Sequence, residues 1–591
     1  MKKFLLSLLS VPFLTLFGAN TVIFEHPDTL TITGDINSRN VRYRSEEFPA
    51  EPNTWYRATA EIRTMMEDSS NKMLFRVRNI KPDGKSIIYA NIASLRAGKL
   101  DFTTYSNVFM TRPECAKLQV YFILDRIKGQ AQIRNVKIEK LSPAEAEKIM
   151  ASKRAEPAFL YDPVCAYAGE KELRWGYRVS AGFIDKNKMP VRIEFSLPAY
   201  NIKSAAQVKI NRHEKILCNL NSPLKAGKYD ILMQAFDKNN KVVAEKKSLL
   251  KVIPQPRFTK RLPVKSVSID SDGFIIVNGK RRIINGIYHA HYAEPVKNIA
   301  QIGINAAQTW APDPRRYKKV MDLMAANDIY ANCVLKNIKN EQLSELVNHI
   351  KNHPALFSWD IVDEPAIRNI TPEDLAPCVT QLRNCKTNRP LRISFSDPSA
   401  VKPYQKCYDI AAVHKYVIPY EGLAAQGATV RNIIRNIAPG QAPHITLQSW
   451  VHWHDETQKP QSAAQTRSQG YLALVNGATG LWWHHYPTAD EIPHIWGALK
   501  QFGAELNELE TFFTGKRLLL ESSSPEVEAA QFFANGKSII VAVNTGMKPA
   551  TVTLSGIKGS SMTEIFADNN SYAVSGKITI APQDTRIFVS E

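Results

Sequence analysis

Between residues 268 and 510 the sequence alternates eight short apolar runs with stretches of helical periodicity. No other feature constrains the fold as tightly. The runs occupy residues 283–288, 304–310, 330–335, 356–363, 391–395, 409–414, 445–450 and 480–484. Each has the length and apolar content of a strand buried on both faces. Helical stretches at 314–327, 341–351, 372–385, 421–438 and 462–476 separate most of them. Strands alternating with helices predict a parallel sheet, and eight such units in about 240 residues have the size of a closed (β/α)8 barrel. The barrel is assigned to residues 265–512. A doubly wound open sheet is the alternative, but no G-x-G-x-x-G turn follows the first run.

The flanking sequence reads differently. Residues 20–141 hold short segments of period-two alternation, such as 29–33, 56–62, 74–78 and 118–122, the pattern of an all-β sandwich. The run Gly129-Gln-Ala-Gln-Ile-Arg-Asn-Val-Lys-Ile-Glu139 resembles the closing strand of jelly-roll carbohydrate-binding modules. Ser142-Pro-Ala-Glu145 has the capping-box pattern and opens a helical linker over 142–157. An immunoglobulin-like sandwich is expected over 158–256, ending at Pro254-Gln-Pro256, and a last β-sandwich over 515–591. The fold class is therefore multidomain, a TIM barrel flanked by all-β sandwich domains.

Residues 1–19 read as a signal peptide, with Lys2 and Lys3 before a 14-residue apolar stretch and then Gly18-Ala19. Fourteen residues are too few to span a bilayer, which takes about 20. The expected location is secreted or periplasmic, with no transmembrane segment. Seven cysteines, scattered and odd in number, show no zinc-ligand spacing. The net charge of +20 invites a nucleic-acid reading, but +10 of it lies in residues 141–260 and only +3 in 261–591. No block of five consecutive basic residues occurs, so nucleic acid is not an expected partner. The basic sandwiches instead suit an acidic polymer.

Side chains capable of chemistry are concentrated in the barrel: 11 of 13 His and seven of nine Trp lie between 280 and 500. Aromatic faces with a few converging polar groups make a small-molecule site, and flat rings stack well on sugars. Trp359 and one of Trp482 and Trp483 are expected in the barrel core. The sharpest motif is Trp359-Asp-Ile-Val-Asp-Glu-Pro365 at the end of strand four. A strand-four ending of this kind resembles the clan A glycoside hydrolases. So do Asn285-Gly-Ile-Tyr-His-Ala-His291, Gly303-Ile-Asn-Ala-Ala-Gln-Thr-Trp310 and His414-Lys-Tyr416. The resemblance implies that Glu364 is the general acid/base, and that Asp363 contacts the sugar hydroxyl next to the reacting carbon. It implies a poly- or oligosaccharide substrate and no cofactor or metal.

The family places its second carboxylate, a Glu, at the end of strand seven, where this chain has Gln448. An amide cannot act as the glycosyl nucleophile, so Gln448 is read as a sugar contact. The candidates for the second catalytic carboxylate are Asp397 after strand five, Glu421 after strand six, and Asp455 and Glu456 in the loop after strand seven; Asp455 and Glu456 are favoured, and Asp397 is assigned to substrate binding. His289, His291 and Trp310 are assigned to substrate binding, as are His414, Tyr416, Trp450 and Trp483. Two alternatives stand beside this reading. Gln448 suits a non-catalytic sugar-binding barrel. His289-Ala-His291 suits a metal-dependent, amidohydrolase-like site, because alternate residues on a strand point the same way.

Overall fold

The computed structural model describes residues 21–35, 41–66, 72–96, 99–124, 127–153, 158–179, 189–210, 212–310, 314–335, 340–418, 422–451, 460–567, 571–573 and 575–590. The expected signal peptide lies outside these residues. No helix among them is long and apolar enough to cross a membrane.

Two compact units divide the chain. The first, up to Lys153, is a pair of antiparallel sheets. One orders Thr21–His26, Gly129–Leu141, Trp55–Met66 and Lys99–Met110; the other orders Val41–Arg44, Lys117–Leu124, Lys72–Ile80 and Ser86–Arg96. Alternate residues of each strand face inward, so Tyr56, Ala58, Ala60 and Ile62 share a core with Phe75, Val77, Val120 and Phe122.

The second unit runs from residue 158 to the C-terminus. It opens with a three-stranded and a five-stranded sheet around Trp175, Phe195 and Met233. This part docks on the helix Pro493–Phe513 and the turn before it. Arg174 Nη1 donates to Asp490 Oδ1 at 2.6 Å, and Tyr167 Oη donates to the Lys500 carbonyl at 3.1 Å.

The barrel follows, closed by eight parallel strands in sequence order. They are β1 (Ile284–Ile287), β2 (Ala306–Thr309), β3 (Tyr330–Val334), β4 (Leu356–Asp363), β5 (Leu391–Phe395), β6 (Ile410–His414), β7 (Ala442–Gln448) and β8 (Gly480–His484). Even-numbered residues dominate the inside. Ile284, Ala306, Tyr330, Ile410, Ala442 and Trp482 form one interior cluster, plugged from below by Val264, Ile275 and Val277. Odd-numbered Ile287, Ala307, Cys333, Trp359, Ile393, Leu447 and Trp483 pack outward in the helix-side core. Two interior glycines make room for large rings. A Cβ on Gly286 would sit 2.5 Å from the Trp482 ring, and one on Gly480 would sit 2.3 Å from the His444 ring.

A seven-stranded sheet closes the chain, with Phe532, Ile539, Val541 and Ile587 joining the helix-side core. The buried Arg467 on helix Ala463–Val475 donates to Glu505 Oε2 at 2.8 Å and to the Thr585 carbonyl at 2.9 Å. All seven cysteines are free thiols.

Candidate active site

The strand-four motif leaves regular pleat just where it meets the barrel mouth. A bulge between Asp360 and Val362 shifts its register against β5, so Asp360, Val362 and Asp363 all reach one cleft. Glu364 then adopts φ +50°, while its N–H donates to the Ser394 carbonyl at 2.7 Å. His289, two residues past β1, has φ +63°. The left-handed region costs a non-glycine residue about 1–2 kcal/mol. Two such residues at one cleft mark backbone re-aimed by its surroundings.

His414, the last residue of β6, links the acids. Its Nδ1 lies 3.5 Å from Glu364 Oε1 and its Nε2 lies 3.8 Å from Asp363 Oδ1. Arg368 Nη2 donates to the other Asp363 oxygen at 3.0 Å. Tyr416 packs 6.0 Å from the His414 ring. Burial, with Tyr288 and both carboxylates nearby, holds its hydroxyl well above the usual value, so it stays protonated.

The cleft has a volume of about 470 Å³, in the range of small-molecule sites. Of the sequence-assigned residues, His289, His291, Trp310, Asp363 and His414 line it. Trp310 is 46% exposed, a large aromatic face left open to solvent. Glu364 reaches the same centre through His414. Trp450 and Tyr416 stand edge to face at 5.3 Å beside His484.

Six further residues line the cleft, Tyr288, Gln308, Val334, Asp360, Val362 and His484, none of them assigned from the sequence to catalysis or substrate binding. Three of them belong to a buried network centred on Arg392, which is fully buried on β5. Arg392 Nη1 pairs with Asp360 Oδ2 and donates to Ser394 Oγ at 2.9 Å, while Nη2 donates to Tyr288 Oη. The guanidinium lies 4.7 Å from the Trp482 ring. Asn332 Nδ2 and Gln308 Nε2 add bonds to Asp360 Oδ2 at 3.1 and 3.3 Å. The signal in the sequence is a charge inside a strand, Leu391-Arg-Ile-Ser-Phe395. A buried arginine must find a counter-charge.

Imidazoles crowd around His484. His484 lies 5.6 Å from His289 and 4.9 Å from His485. Burial, reinforced by neighbouring imidazoles, pushes His484 down to about 2 and His485 down to about 4. Burial also lowers His289 and His291. Neutral rings of this kind donate and accept hydrogen bonds without adding charge.

Several assignments change. Trp483 is fully buried on the helix side, bonded through Nε1 to Asn285 Oδ1 at 2.9 Å and packed on Phe502. It is a core residue, and so are Trp359 and Trp482. Gln448 is buried with its amide fully engaged: Oε1 accepts from the Ile418 N–H at 3.0 Å, and Nε2 donates to the carbonyls of Ile418 and Trp450. It braces the β6 loop and offers no group to a sugar. Asp397 caps the short helix Pro398–Ala400 through the Ser399 N–H at 2.7 Å and is not among the cleft-lining residues. Glu421, Asp455 and Glu456 lie outside the described residues. The strand argument for a metal-binding His289/His291 pair fails, because β1 ends at Ile287 and His289 is left-handed. Among the described residues no three His, Cys, Asp or Glu side chains are grouped to hold a metal ion.

No family model and no curated protein matches the sequence. Solved structures that are similar to parts of the chain include one described as a glycoside hydrolase, at 11% identity and TM-score 0.42, covering 55% of this chain and 96% of that one. A glycoside hydrolase family 5 protein from Bacteroides vulgatus matches at 11% identity and TM-score 0.41, covering 55% and 93%. A β-glucuronidase from an uncultured Clostridium matches at 11% identity and TM-score 0.29, covering 75% and 80%.

Proposed function

We propose that this protein is an exported glycoside hydrolase that cleaves O-glycosidic bonds of a poly- or oligosaccharide, with Glu364 as the general acid/base. The observation that carries the reading is the Asp363–His414–Glu364 cluster at the mouth of a (β/α)8 barrel, set against an open tryptophan. Glycoside hydrolysis needs a carboxylic acid to protonate the leaving oxygen and later a carboxylate to receive a proton. We assign that exchange to Glu364, whose Oε1 lies 3.5 Å from His414 Nδ1. Trp310 provides a stacking face, and the neutral imidazoles of His289 and His291 suit hydroxyl groups.

Assay of the full-length protein on a broad panel of polysaccharides and aryl glycosides tests the proposal. Glu364→Gln should lower kcat by about 10²–10⁴-fold while ligand binding and thermal midpoint persist. Undiminished turnover by the variant would overturn it.

One observation favours a second reading, a barrel that binds sugar without cleaving it: the amide at the strand-seven position is consumed by backbone. Saturable polysaccharide binding with no product from any substrate would select that reading. The +10 charge of residues 141–260 supports retention on an anionic polymer. Retention of the whole protein on immobilised polygalacturonate should then fall steeply between about 0.05 and 0.5 M salt, as screening shortens the reach of exposed charge.

A further inference from the structure

The first unit pairs its surface charges on one sheet and leaves them unpaired on the other. On the outer face of the sheet that holds Trp55–Met66 and Gly129–Leu141, cations sit across the strands from acids. Arg57 Nε lies 2.9 Å from Glu139 Oε2, Arg134 Nε lies 2.8 Å from Glu61 Oε2, and Lys137 Nζ lies 2.7 Å from Glu25 Oε1. Opposite charges so placed stabilise a sheet surface. The other sheet departs from this pattern. On its outer face Arg44 and Arg76 flank Tyr121 from the two neighbouring strands, and Arg78 lies between Gln119 and Tyr89. None of these three arginines forms an ion pair among the described residues.

Arg76 departs furthest. It is half-buried, its Nε is closed to solvent without a hydrogen-bond partner, and its guanidinium lies 6.0 Å from the centre of the Tyr89 ring. Burial holds it below the usual guanidinium value, and no neighbouring carboxylate offsets that effect. Arg78 is steered by neutral groups only: Nη1 reaches Gln119 Oε1 at 3.4 Å and Tyr121 Oη at 3.5 Å, and Nη2 donates to the Gly84 carbonyl at 3.2 Å. Tyr121 is 3% exposed and forms a floor, while Tyr89, 38% exposed, stands edge to face on it at 5.7 Å. The exposed amide of Asn91 lies across the strand from Arg76. A cation partly withdrawn from water without a counter-charge is destabilising, and an incoming anion would offset that cost.

We propose that this face binds uronate residues of an acidic polysaccharide, with Arg76 receiving a sugar carboxylate and Tyr89 stacking on the ring that carries it. A planar carboxylate meets the edge of a guanidinium through two parallel bonds, and an aromatic ring beside it suits the C–H face of a sugar. Arg76 and Arg78, two residues apart on one strand, have Cα atoms about 6.7 Å apart. Arg44 and Arg76, on the strands either side of Tyr121, are about 9.6 Å apart. This spacing distributes the cations along a chain with one charge per ring instead of gathering them on one multiply charged group. The site belongs to the first unit and does not depend on the hydrolase reading. It also goes beyond the net charge of residues 141–260, because it specifies one unpaired guanidinium and one aromatic face.

The test is isothermal titration of the full-length protein with galacturonate, glucuronate and mannuronate oligomers, with Arg57→Met as the charge-matched control from the paired sheet. Wild type should bind at least one of these oligomers, and neutral dextran oligomers at least about tenfold more weakly. Arg76→Met and Tyr89→Ala should each weaken that binding by about tenfold, whereas Arg57→Met should leave it within about twofold. Arg76→Lys should recover only part of the loss, because an ammonium lacks the planar fork. Arg76 has no partner to strand, so Arg76→Met should melt no lower than wild type; a lower thermal midpoint would mark a structural arginine and overturn the proposal. Equal losses for Arg57→Met and Arg76→Met would reduce the effect to net charge, and wild type that binds none of the oligomers would leave no site; either overturns the proposal. Tighter, Arg76-dependent binding of sulfated dextran oligomers or of single-stranded DNA would assign the face to another anion and also overturn it.

Discussion

Gln448 and Ile418 are joined as two strands would be: the side-chain Oε1 accepts the Ile418 N–H at 3.0 Å, and Nε2 donates to the Ile418 carbonyl at 2.8 Å. A primary amide has one donor end and one acceptor end, as a peptide group does, and a carboxylate has only acceptors. Replacing this amide by an acid, Gln448→Glu, should therefore not create a nucleophile. It should place a buried anion against two carbonyls. The expected cost is at least about 1–3 kcal/mol for the lost donors, read as a lower denaturation midpoint. Activity should stay at or below wild type. A rise in kcat would show that the loop bracing is dispensable and the acid position functional.

Arg392 and Asp360 form a pair that is closed to solvent on both sides, at 0% and 3% side-chain exposure. Removing one partner of a buried pair strands the other, at a cost of about 3–5 kcal/mol. Arg392→Met should show that loss in denaturant unfolding. Asp360→Asn combined with Arg392→Met should recover part of it, because the stranded charge is gone. Additive losses in the double variant would show that the pair is not coupled.

These two sites show where a sequence is legible. All eight strand positions could be read because a parallel barrel strand is an apolar run of fixed length between helices, which is local information. The inward and outward phase was only half legible. Trp482 and Trp483 are adjacent, and only the register across the barrel decides which one faces Gly286 and which faces Phe502. Interior glycines on β1 and β8 were the available signal. The grip of Arg392 on Asp360 and Tyr288 joins three strands distant in sequence, so spacing along the chain carries no trace of it. Gln448 was readable as a departure from the family pattern, but its bonds are to the backbone of a loop, which no residue type specifies.

The tryptophans give a paired prediction. Trp310 is 46% exposed at the cleft and Trp483 is fully buried against the helices. Trp310→Ala should weaken substrate binding by about tenfold, the scale of one aromatic contact, with an unchanged thermal midpoint. Trp483→Phe should do the reverse. It removes the indole bond to Asn285, so stability falls by about 1–2 kcal/mol with KM unchanged. Isothermal titration and thermal melts on the same two variants separate the roles, and any exchange of the two outcomes would contradict the placement.

The imidazole wall predicts a pH response of definite sign. His485 titrates near 4 and His484 near 2 in the folded protein, both held down first by burial, whereas an unfolded histidine titrates near 6.5. Between those values the unfolded chain binds more protons than the folded one, so acidification favours unfolding. Their stabilising effect is complete above pH of about 6.5 and is lost progressively as the pH falls toward 4. Carboxylates held low, such as Asp162 and Asp322, lose their contribution only at still lower pH, so the two effects separate along the pH axis. Thermal midpoints taken from pH 8 to 4.5 should decline below about 6.5, and His485→Gln should flatten that decline relative to wild type. Parallel wild-type and His485→Gln curves over this window would show that the ring is not held neutral by its surroundings.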